Sequence, residues 1–181
     1  GTSYDRVPPK IQHMSTVADI TAQPSSGLQH IDALLEAGPG WNWLAPSRNT
    51  IYYTFSLVDG NVADIGSNLK AAPTAFNATQ QSAVASALSL LTQITGIRFV
   101  ATGDGHAADI HFADGDLLGQ NTAGFCSLSW SYSYSGTTVT RYSADAFVYL
   151  DTANFAASNN APTVGTTGFE VLLHELGHAM G

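Results

Sequence analysis

Cysteine occurs once in the 181 residues, at Cys126. A single thiol excludes an internal disulfide framework and any zinc site built from several cysteines. Charge is scarce too: charged residues make up 11% of the chain, with 6 Lys and Arg against 14 Asp and Glu and a formal net charge of -8. Nucleic acid and anionic membrane surfaces are bound through clustered Lys and Arg, so neither is an expected partner. The chain also lacks the run of about 18 apolar residues that a membrane-spanning helix needs. Gly1 to Arg6 has no basic-then-apolar signal pattern, so an exported form is expected to have lost its signal or used another route.

What is present suits one domain. Hydrophobic residues make up 44% of the chain, enough for a real core at this length. Residues 1–26, mixed and rich in Pro, Ser and Thr, read as an N-terminal arm with a short helical turn, and residues 27–181 as the domain itself. Gly27 to Gly38 has helical spacing, and loops follow around Trp41 and Trp43. Thr50 to Ser56 is β-branched and aromatic and predicts a strand. Phe76 to Gly96 predicts the longest helix, capped by Asn77 or Thr79, ended by Gly96, with Val84, Leu88, Leu91 and Ile94 on one face. Ile97–Val100 and Asp109–Phe112 predict short strands about a Gly-Asp-Gly turn. Ala123 to Leu150 predicts further strands with Gly136 at a turn, Asn159 to Thr167 a loop, and Gly168 to Met180 a helix.

That last helix carries chemistry. Residues four apart lie on the same helical face, so His174 and His178 direct two imidazoles toward one point. Glu175 is displaced around the helix, where it can reach a metal's water without binding the metal. Zinc held there activates the water, and Glu175 serves as general base. Thr167 and Glu170 have capping-box spacing, and Phe169, Leu172, Leu173 and Leu176 supply an apolar face. Two core histidines meeting by chance is the plain alternative. It must also explain the intervening Glu, the apolar helix and Gly181.

The run His174-Glu175-Leu176-Gly177-His178-Ala179-Met180-Gly181 resembles the first eight residues of the metzincin motif H-E-x-x-H-x-x-G-x-x-H. Within that clan the chain is most similar to the serralysins, secreted bacterial zinc endopeptidases. Leu28 to Leu35, Trp41-Asn42, the strand at Thr50 and Ala108-Asp109-Ile110-His111-Phe112 agree with the family pattern; matrixins share Ala108-Asp109-Ile110. The resemblance implies an α+β fold: a twisted, mostly parallel five-stranded sheet, an antiparallel edge strand within Ala123 to Trp130, and two long helices. It implies a secreted zinc metalloendopeptidase with His174 and His178 as metal ligands and Glu175 as catalytic base. Protein or peptide substrates would lie as an extended strand along the sheet edge. The family's third histidine, methionine turn and C-terminal subdomain have no counterpart up to Gly181, so the third zinc ligand is expected beyond it and the 181 residues alone are expected to have little activity. The serralysin calcium-binding repeats are absent as well.

Weaker groupings have plainer readings. His106, His111, Asp104 and Asp109 could form a second metal site, or be ordinary strand and loop residues. Asp114-Gly115-Asp116 could bind calcium but lacks a full ligand series. Cys126 reads as a small buried hydrophobe rather than a zinc-blocking thiolate. His13 and His30 read as surface or packing residues, and Tyr132 and Tyr134 as one side of an alternating strand or part of a substrate groove. Asn77-Ala78-Thr79 matches a glycosylation acceptor. Two classes of function follow: a zinc endopeptidase, or a non-catalytic binding module that keeps the metzincin scaffold.

Overall fold

The computed structural model describes residues 16–21, 49–58, 64–119 and 121–181. Among them are five strands, β1 (Thr50–Thr54), β2 (Arg98–Ala101), β3 (Ile110–Gly115), β4 (Gly124–Ser135) and β5 (Thr138–Asp151). Four α-helices accompany them, α1 (Val17–Thr21), α2 (Ala78–Thr95), α3 (Ala156–Asn159) and α4 (Thr167–Met180). The strands form one sheet in the order β2-β1-β3-β5-β4. All neighbouring pairs are parallel except β4 with β5, which are antiparallel. The fold is therefore mixed α and β, with a mostly parallel five-stranded sheet and one antiparallel edge strand. The predicted helix at Gly27–Gly38, the loops around Trp41 and Trp43, and His13 and His30 lie outside the described residues.

Alternation along the strands divides the core between two faces. One face, with Ile51, Ile110, Phe112, Ala146, Val148 and Leu150, packs against α2 and α4. The other joins Leu69, Ala113, Leu117 and Tyr149 in a smaller cluster, where the Tyr149 hydroxyl donates to Asp64. Cys126 and Leu128 of β4 pack against the helix side. Past the helix the same side of β4 shows a ladder of rings: Trp130 and Tyr132 stack at 5.9 Å, and Tyr132 and Tyr134 lie 6.0 Å apart. Gly136, at φ 59°, turns β4 into β5.

The long helix begins at Asn77, not Thr79. Asn77 Oδ1 accepts from Gln80 N–H (2.9 Å) and Gln80 Oε1 accepts from Asn77 N–H (2.7 Å), a reciprocal capping box. Gly96, in the left-handed region at φ 75°, ends the helix. Its buried face is Gln80, Ala83, Val84, Ala87 and Leu88. Ile94, expected on that face, is 72% exposed. Ten residues past Val84 it has rotated about 80° off the stripe at 100° per residue. The Asn77 amide also donates to Asn160 O (2.9 Å), so the acceptor sequence at Asn77 spends its side chain on helix caps and a loop.

The 16–21 part of the arm holds α1, with Ile20 buried and Thr16 bridged to Thr138. Between β5 and α4 the chain makes the short helix α3, which the sequence reading leaves unassigned before its loop. Helix α4 is capped by Thr166, whose Oγ1 accepts from Phe169 N–H at 3.4 Å, one residue earlier than the expected Thr167. Among the described residues no helix is long and apolar enough to cross a membrane.

Candidate metal and peptide site

Helix α4 has two working faces. Phe169, Leu172, Leu176 and Ala179 are buried in the core. Thr167, Glu170, Val171, His174 and Glu175, spaced i, i+3, i+4, i+7 and i+8, face a groove of about 500 Å³. The apolar stripe fixes the rotation of the helix, and that rotation turns the polar residues into the groove. The opposite wall is the segment Asn121-Thr122-Ala123-Gly124, which leads into the edge strand β4.

The structure brings His174 and His178 together. Their Nε2 atoms are 3.1 Å apart and their rings stand edge to face, with centroids 4.7 Å apart. Two nitrogens each roughly 2.0–2.1 Å from a tetrahedral ion would be about 3.3–3.4 Å apart, so this pair fits a shared metal with a few tenths of an ångström of adjustment. One hydrogen bond between the two ring nitrogens also accounts for this distance. Among the described residues no group of three His, Cys, Asp or Glu could hold a metal. The pair offers two nitrogen donors, and Glu175 does not complete a set of three with them.

Glu175 is buried, at 6% exposure, beneath the exposed His174. Its side chain lies directly against β4. A Cβ added at Gly124 would stand 2.8 Å from Glu175 Cγ, 2.8 Å from Val171 Cγ1 and 2.9 Å from Glu175 Oε1. Only glycine lets strand and helix approach this closely. Gly124 is thus part of the site, and sequence reasoning missed it. A glycine at the start of a predicted strand signals close approach in general, without saying to what.

The wall before Gly124 is held from behind. The buried Asn159 donates from Nδ2 to Ala123 O (2.7 Å) and Asp151 O (2.7 Å). Gln80 Nε2 in turn donates to Asn159 O (2.9 Å) and to Asp114 Oδ1 (2.6 Å). Burial pushes the Asp114 carboxyl up to about 7, against a smaller lowering by the Gln80 hydrogen bond.

The weaker groupings do not converge. Asp104 caps the short turn at His106, Asp109 Oδ2 accepts from Tyr52 N–H (2.8 Å), and His111 Nε2 lies 3.6 Å from Asp145 on the sheet face away from α2 and α4. Asp114 faces Gln80, whereas Asp116 pairs with Lys70 at 2.6 Å, so these two carboxylates have separate partners. Cys126 is half-buried against the main core. The chain matches no protein-family model, and no curated protein matches it.

Proposed function

We propose that the chain is the metal-binding part of a secreted, metzincin-type zinc endopeptidase of serralysin character, which hydrolyses peptide bonds in extended polypeptides. One observation carries this reading: the Nε2 atoms of His174 and His178 lie 3.1 Å apart, and His174 lines a groove together with the buried Glu175. Zinc, when bound, would supply a Lewis acid that polarises the scissile carbonyl and acidifies water. The two imidazoles would hold it as neutral ligands, and a third protein ligand would come from outside the described residues.

Glu175 takes the proton of the attacking water and delivers it to the leaving amine. Its burial between Val171 and the Gly124 backbone holds the carboxylate in place for both transfers. Gly124, the first residue of β4, lines the groove, and β4 is the outer strand of the described sheet, so an extended substrate can add to it as a further strand. Backbone pairing implies broad sequence tolerance.

Zinc uptake and hydrolysis measured on the same preparations test the reading. His174→Ala and His178→Ala should each abolish zinc binding. Glu175→Gln should retain the metal and lose roughly 10²–10⁴ in casein hydrolysis by the protein that carries this chain. Zinc binding that survives both histidine substitutions would exclude the proposed centre. A second reading, a binding module without catalysis, keeps peptide binding while Glu175→Gln changes no hydrolytic rate.

A further inference from the structure

We infer that the groove selects peptides carrying a basic side chain, and that Glu170 makes the selection. This rests on the proposed function only in taking the ligand to be a peptide. Glu170 lies one turn before His174 on the same face of α4 and lines the groove with it. Of the nine described residues that line the groove, Glu170, His174 and Glu175 are the ionisable ones, and none of the nine is Lys or Arg. His174 belongs to the metal pair and Glu175 is buried at the floor, which leaves Glu170 as the exposed charge available to a ligand.

Its carboxylate makes no hydrogen bond or ion pair among the described residues; the hydrogen bond at this position runs from its backbone N–H to Thr166 O. Thr167, Asn121 and Thr122 beside it are neutral and polar. A lysine or arginine side chain entering past His174 would therefore meet one unpaired acceptor and neutral hydroxyl and amide groups. An acidic side chain would be repelled by that same carboxylate. The acid also sits in the first turn of α4, where it favours the helix dipole, so a stability change alone would not establish its role.

The test is anisotropy of fluorescein-labelled, serine-rich peptides that differ in a single Lys, Gln or Glu, titrated with the metal-free chain so that no turnover intrudes. The Lys peptide should bind about two- to fivefold more tightly than the Gln peptide, the range of an exposed ion pair. Salt of about 1 M should erase the difference. Glu170→Gln should level the three peptides, and Glu170→Lys should invert their order. Comparing peptides within each variant removes any effect on folding. An order unchanged by Glu170→Lys, or no binding of any peptide, would overturn the inference. The predicted order in a protein whose histidines take up no zinc when zinc is supplied would sink the peptidase reading and leave this one standing.

Discussion

At Gly124 the distance between the edge strand β4 and helix α4 is set by a missing carbon atom. Gly124→Ala places a methyl group 2.8 Å from both Glu175 Cγ and Val171 Cγ1. Glu175 is buried, so its side chain cannot simply swing into water. We expect a loss of about 1–3 kcal/mol, the usual cost of overpacking, measured as a lower urea midpoint. The proposed zinc uptake by His174 and His178 should persist, because neither ring supplies any of the three atoms nearest the added methyl group. Adding Val171→Ala should restore part of the stability; full additivity of the two substitutions would contradict the contact. The histidine pair is legible in the sequence because i, i+4 spacing acts within one helix. Gly124 is not, since its partner lies 51 positions away, from 124 to 175, and meets it only when β4 docks on α4.

Elements show a similar division. The cap and stop of α2 are local, so Asn77 and Gly96 are readable in advance. The role of Gln80 is not: one side chain closes the capping box and reaches both Asp114 and Asn159. Asn159 carries that support to the groove wall. Asn159→Ala removes the donor to the part-buried Ala123 O and the buried Asp151 O, and should cost about 1–3 kcal/mol. Amide exchange should quicken at Thr122 to Gly124 ahead of the α2 core. Exchange that rises equally everywhere would mean that Asn159 merely stabilises the whole fold. Asn77→Ala should cost about 0.5–2 kcal/mol, read from thermal denaturation, because it removes a helix cap and the bond to Asn160. The exposed ring ladder of β4 follows from alternation in Trp130, Tyr132 and Tyr134, yet only the sheet shows that these rings extend past the helix-covered core.

For the molecule as a whole, Asp114 sets a pH dependence. Its carboxyl is raised from 3.8 to about 7, chiefly by burial. A carboxyl raised on folding contributes stability in full below its unfolded value, and that contribution is lost as pH rises through the folded value. Between pH about 4 and 7, stability should therefore fall relative to Asp114→Asn, which keeps the acceptor for Gln80 and cannot ionise. Urea midpoints of the two proteins should diverge across that window and run parallel above it. Parallel curves throughout would show that Asp114 ionises freely in the folded chain.

The sequence by itself determined what depends on near neighbours: alternation of apolar residues in the strands, the capped and glycine-ended α2, and the placing of His174, Glu175 and His178 on one helix. Helical periodicity is a property of a few consecutive residues, and it survives any packing that leaves the helix intact. Tertiary structure alone decided the strand order, the groove between Asn121–Gly124 and α4, the contact of Gly124 with Glu175, and the burial that raises Asp114. Those features arise where segments distant in the chain exclude water from one another, and no local pattern encodes which segments will meet.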